Sequence, residues 1–202
     1  MKHILYILLV VLSIVITYLV TPRPYIEHHH ANFAVYVDGK KWDFSWYQYM
    51  EEVSRCNISE WVTPDDRIHL HDGKWGLIHV HMAASTWGDL FANLYWGIWS
   101  GYIQTDRNNF YTTNKDFSIY YILNGSIVTN PANIAVWSTD RLLVWYGSGS
   151  QDEILKKWDT LVDKDATDYN NKADPASCSA NTYGWFLWTI GEWIHNTIWH
   201  QD

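Results

Sequence analysis

Two His-x-His pairs, His69-Leu70-His71 and His79-Val80-His81, flank a short segment, and His28-His29-His30 precedes them. Together they hold most of the ten histidines in the chain. Neutral imidazole is the commonest metal-ligating side chain, and it suits zinc, copper and nickel. Residues i and i+2 of a strand share a face at roughly 6.5 to 7 Å. Directly opposed residues on paired strands bring their Cβ atoms to about 4.5 to 5.5 Å. Two opposed imidazoles can therefore share one ion. Two such rungs supply four nitrogens to one ion or two to each of two ions, and His28 or His30 can complete either set. The candidate ligands are thus His69, His71, His79, His81, His28 and His30, for a copper or zinc ion. A clear Cu(I) preference would need Met82 and Met50, and Met82 falls on the strand face opposite to His79 and His81.

The hairpin that carries these histidines must put them on one face. A two-residue Asp72-Gly73 turn would pair odd positions with even ones and split the two pairs. A three-residue loop, Lys74-Trp75-Gly76, pairs His71 with His79 and His69 with His81, with Gly76 in the left-handed position. It also gathers Ile68, Leu70, Ile78 and Val80 on the other face. Register follows the buried apolar face, so the second arrangement is expected.

The remaining elements frame this hairpin. Ala31, Phe33, Val35 and Val37 alternate with His30, Asn32, Ala34 and Tyr36, which reads as a strand. Asp38-Gly39 is a hairpin turn, and Lys41 to Trp46 can return. Thr86-x-x-Asp89 has the form of a capping box and predicts a helix over 87–96. Ser118 to Leu123 is a strand, Asn124-Gly125 a turn, Ile127-Val128 its return, and Arg141 to Tyr146 a further strand. Ser150-x-x-Glu153 caps a second helix to about residue 162. Residues 163–182 are polar and loop-like.

Residues 4–20 are uncharged and almost wholly apolar, and as a helix would span roughly 25 Å, near the short end of the transmembrane range. Lys2 before the run fits a cytoplasmic start. Thr21-Pro22-Arg23-Pro24 follows in place of a small-x-small site, which favours an uncleaved signal anchor over a cleaved signal peptide. The bulk of the chain would then be extracytoplasmic. Cys56 and Cys178 fit a single long-range disulfide there, with metal ligation as the alternative. Asn57-Ile58-Ser59 and Asn124-Gly125-Ser126 match the glycosylation pattern. A net charge of −8 disfavours nucleic acid as a partner. The fourteen tryptophans, clustered in residues 87–99 and 185–199, point to membrane-interface or subunit contacts, or else to a Trp-rich core. Residues 184–199 are too polar for a span and fit an amphipathic helix on a membrane surface or a partner.

The order strand hairpin, helix, strands, with Leu123-Asn124-Gly125-Ser126 and Ser138-Thr139-Asp140-Arg141-Leu142-Leu143-Val144, resembles the ubiquitin-like β-grasp fold. Sulfur-carrier members of that fold end in Gly-Gly, whereas this chain continues past Gly147, so the likeness implies fold alone. The anchor, His28-His29-His30-Ala31, His69-Leu70-His71-Asp72, His79-Val80-His81 and Thr86-Trp87-Gly88-Asp89-Leu90-Phe91 together resemble a second group. These are small anchored His-rich extracytoplasmic proteins of archaea and uncultivated bacteria, with a His-x-His-Ala, His-x-His, Thr-x-Gly-x-Phe-Phe pattern. That likeness covers residues 28 to about 160 and implies fold and location without a reaction.

The expected class is α+β: a β-grasp-like mixed sheet with one packed helix, an N-terminal transmembrane helix and a Trp-rich C-terminal helix. The expected divisions are 1–24 anchor and linker, 25–150 His-rich domain, 151–182 helix and polar loop, and 183–202 tail. No nucleophile elbow, His-Glu-x-x-His, phosphate loop or Cys-x-x-Cys occurs. The expected function is metal storage, delivery or sensing. The rivals are a non-catalytic subunit of a membrane complex or surface assembly with a structural metal, and, less favoured, a metal-dependent enzyme.

Overall fold

Alternation along one long strand organises the molecule. The computed structural model describes residues 6, 10–13, 26–51, 67–70 and 72–172. Within them β1 (Ile26–Val37) sits at the centre of the larger sheet. β4 (Leu77–Met82) runs antiparallel on one side of it, with β3 (Ile68–His69) beyond. On the other side β10 (Arg141–Gly147) runs parallel to β1, followed by β8 (Ser118–Leu123) and β9 (Ser126–Val128), both antiparallel to their neighbours. β2 (Lys40–Lys41) returns from the Asp38-Gly39 turn, whose φ values of 51° and 73° suit a tight hairpin. That return stops at two residues where Lys41 to Trp46 was expected, because the chain leaves β1 and buries Phe44 in the core. The class is mixed α+β, as expected.

The odd residues of β1 build the main core. Ala31, Phe33 and Val35 pack with Ile68, Leu70, Ile78 and Val80 under α1 (Trp87–Asn93). The helix presents Trp87, Leu90 and Phe91, all fully buried. The Thr86 hydroxyl accepts from the Asp89 N–H and the Asp89 carboxylate accepts from the Thr86 N–H, the capping box read from the sequence. The helix ends earlier than the expected residue 96, because Tyr95 turns left-handed at φ 60°. The aromatic stretch after it forms a second sheet instead: β5 (Gly97–Trp99), β6 (Tyr102–Gln104) and β7 (Phe110–Thr112).

The even residues of β1 face the other way. Ala34 packs with Ile122, Leu143 and Trp145 under Ile154 of α2 (Gln151–Leu161), which carries the Ser150–Glu153 capping box. Within the stretch read as loop, a short helix, α3 (Ala166–Asn170), lies against β1. It is held by polar contacts that have no periodic signature: Ala166 N–H donates to Asn32 Oδ1 (3.0 Å), and Asn32 Nδ2 donates to Asp165 Oδ1 (2.6 Å). Among the described residues, no helix is long and apolar enough to cross a membrane. Most of the expected anchor span, all but residues 6 and 10–13, lies outside the described residues, as do the Trp-rich tail, Cys56, Cys178, His71 and the glycosylation pattern at Asn57.

Candidate metal centre

The histidine face follows from register. On β4, His79 and His81 share a face by the two-residue period of a strand. His79 is paired with His30 on β1 and with His69 on β3, so all of these point to one side. Pairing shifts between Ile26–Met82 and His29–Val80. The irregularity lies past the histidines, and the regular register of His30–His79 and His29–Val80 carries on to set His28 against His81, with nearly parallel rings 4.9 Å apart.

The hairpin register differs from the sequence expectation by two residues. His69 pairs with His79, not with His81, and Ile68 pairs with Val80. The left-handed positions are Asp72 (φ 59°) and Gly73 (φ 65°), and Gly76 is not left-handed. Two captures explain the shift. Leu70 is drawn off β4 into a bridge with Met50, where its carbonyl accepts from Glu51 N–H. Gly76 is pinned to β1, its carbonyl accepting from Phe33 N–H (3.1 Å) and Asn32 Nδ2 (3.0 Å). A Cβ at Gly76 would lie 2.8 Å from Asp163 Oδ2, the end of an exposed side chain that can shift aside, so glycine is not demanded there by turn geometry. A two-residue shift preserves side-chain faces. The apolar quartet therefore reached the core as expected, and the histidines stayed together.

His28, His79 and His81 each place one ring nitrogen within 4.8 Å of the others, an arrangement that could hold a metal ion. His79 and His81 are buried and His28 is half-buried. His30 and His69, both buried, border this trio. The His30 ring stands edge-on to His79 at 4.4 Å and to His28 at 4.8 Å. The His69 ring stacks on His81 at 5.0 Å. His29 goes the other way, its Nε2 lying 3.3 Å from the Val136 carbonyl, which makes it a core histidine.

The donor set fits a transition ion. Among the described residues the cluster contains imidazoles alone, a set that suits zinc, copper or nickel and not calcium or magnesium. Tetrahedral Zn–N bonds of about 2.0 to 2.1 Å place ligand nitrogens roughly 3.3 Å apart, so modest side-chain rotations close the trio on one ion. Asn170, whose amide contacts His30, is invisible to sequence reasoning, because a single Asn on a five-residue helix carries no motif. Nearby, Tyr169 is flanked by Lys74 and Lys172 at 5.0 and 4.3 Å from its ring centre. Its hydroxyl holds the Lys74 ammonium above its ordinary range, ahead of weaker attraction from Asp165 and Asp72.

No family model, curated protein or solved structure matches the chain.

Proposed function

We propose that this chain is a membrane-anchored, extracytoplasmic protein that binds a transition-metal ion, copper or zinc, to store, deliver or sense it. The observation that carries the proposal is the convergence of His28, His79 and His81 nitrogens within 4.8 Å on a largely buried sheet face. Histidines scattered for solubility would point to water. Support for the location is the uncharged apolar run at residues 4–20, and copper is slightly preferred to zinc on that location. The strand order, with β4 antiparallel beside β1, a following helix and β10 parallel to β1, supports the β-grasp reading. The likeness to anchored His-rich proteins belongs to the same proposal.

Protein extracted in mild detergent and purified without an affinity resin should bind about one equivalent of Cu(II) or Zn(II). Less than about half an equivalent, with no uptake on titration, overturns the reading.

A second reading is a non-catalytic subunit whose metal is structural. Exposed Trp46, Tyr47, Tyr95 and Phe110 favour it, since aromatic side chains are enriched at interfaces. Such a protein would elute from mild detergent in a large complex, and metal removal would unfold it.

A further inference from the structure

We propose that Asn170 is the positioning residue of the metal centre: it fixes His30 as an additional ligand through Nε2, so that metal binding and docking of α3 are coupled. The inference rests on the metal-binding reading above. Asn170 Oδ1 accepts a hydrogen bond from the backbone N–H of His30 at 2.7 Å. A backbone N–H can only donate, so this contact settles which end of the amide is oxygen. The donor end agrees, with Asn170 Nδ2 donating to Ser138 Oγ at 3.0 Å. The same Oδ1 lies 2.7 Å from His30 Nδ1. That oxygen has no proton to give, so His30 Nδ1 must be the donor. A neutral imidazole protonated at Nδ1 keeps its ligating lone pair at Nε2.

The ring held in this way touches two of the three converging histidines, His79 and His28. Rings bound to one tetrahedral ion have centres roughly 5 Å apart, from metal–nitrogen bonds of about 2.0 Å. The His30 ring centre lies near that spacing from both, while its nitrogens stand outside the 4.8 Å group of His28, His79 and His81, so His30 joins an ion only as those three side chains close toward it. A partner on the far nitrogen of a ligating histidine fixes its tautomer, raises its basicity and typically changes metal affinity by about 10- to 100-fold. Asn170 stands on α3, whose other end is fastened to β1 through Asn32. By linkage, whatever factor the docked helix contributes to metal affinity, the metal returns to docking.

The test uses Zn(II) competition against a chromophoric chelator and Cu(II) electron paramagnetic resonance on the full chain in detergent. Asn170→Ala should weaken Zn(II) binding about 10- to 100-fold and remove one nitrogen from the Cu(II) spectrum. Asn170→Asp keeps both acceptor contacts to His30 and should restore affinity and spectrum. His30→Gln keeps the backbone contact to Asn170, removes the ring, and should give the same nitrogen loss. Zn(II) should slow amide exchange over residues 166–170 in the parent protein and not in Asn170→Ala. If the parent binds metal while Asn170→Ala and His30→Gln leave the spectrum unchanged, the positioning role is overturned and the metal site stands. Failure of Asn170→Asp to rescue also overturns it. If the parent binds neither ion, the metal-binding reading falls first.

Discussion

One face of the large sheet has two ends that solve burial in opposite ways. Toward the start of β1 it carries His28, His30 and Asn32, and further along Ala34 and Tyr36. The far end is apolar: Ala34, Ile122, Leu143 and Trp145 lie under Ile154 and Val162, with Trp145 stacked on Tyr36 at 5.7 Å. Each large side chain buried there contributes about 1.5 to 3 kcal/mol. The near end buries His30, His69, His79 and His81 instead. A buried polar group contributes less, about 0.5 to 1.5 kcal/mol once hydrogen-bonded and a net cost when it is not. The sheet therefore gains its rigidity at the α2 end and under α1, and uses it to hold imidazoles close together. A site on rigid strands needs little reorganisation to close on an ion.

The two ends should fail differently. The largest effect is expected from His79→Ala with His81→Ala, which removes two of three converging ligands. Metal affinity should fall by at least about a thousandfold, roughly 4 kcal/mol, in a chelator competition. Its metal-free thermal midpoint should move little, since little stability resides in those rings. Next comes Leu143→Ala at the far end, expected to cost about 3 kcal/mol in denaturant unfolding. The folded fraction should still bind metal with unchanged stoichiometry. If the histidine variant unfolds without metal while Leu143→Ala does little, the division of labour between the ends is wrong.

The sequence made the histidine face legible because a strand has only two faces. Alternation at residues 30–37 and the His-x-His spacings place side chains whatever the exact pairing. A two-residue error in register thus left the ligand face intact. The Asp38-Gly39 and Asn124-Gly125 turns and both capping boxes were readable because each is a local solution encoded by adjacent residues. What escaped was set by distant partners. The bridge from Leu70 to Met50 ends β3 early, and no neighbour of Leu70 signals it. Tyr95 ends α1 in a conformation usually given to glycine, so the aromatic run beyond it read as more helix. α3 is fastened through Asn32 and Asn170, two polar residues with no periodicity to reveal them.

Arg141 gives the α2 end a polar anchor and a smaller prediction. It donates to the carbonyls of Asp159 (2.9 Å) and Asp163 (3.1 Å) at the end of α2, and to the Asp159 carboxylate (2.6 Å). Its guanidinium also lies 4.4 Å from the Trp158 ring centre. Cations are favourable at a helix C-terminus, where carbonyls lack partners. Arg141→Met keeps an aliphatic stem and should cost about 2 kcal/mol of stability at neutral pH. Lys164, and then Arg141, hold the Asp159 carboxyl below the usual carboxylate range. A lowered folded-state value gives stability that is present above about pH 4 and lost as pH falls through the folded value. The gap between parent and variant should therefore narrow, without closing, in unfolding measured below about pH 4.

The smallest effect separates the two helices that cover this face. α2 begins with a reciprocal box: Ser150 Oγ accepts from Glu153 N–H at 3.3 Å, and Glu153 accepts from Ser150 N–H at 2.8 Å. Ser150→Ala leaves one helical N–H without its cap and should cost about 1 kcal/mol in thermal unfolding. α3 has no side-chain cap of its own and relies on Asn32 for its first turn. Its order therefore depends on β1 and, through His30, on the metal centre. Ser150→Ala should lower the thermal midpoint equally with and without Zn(II). A Zn(II)-dependent difference would mean that α2 is coupled to the histidines as well, and that the two ends of the face do not act independently.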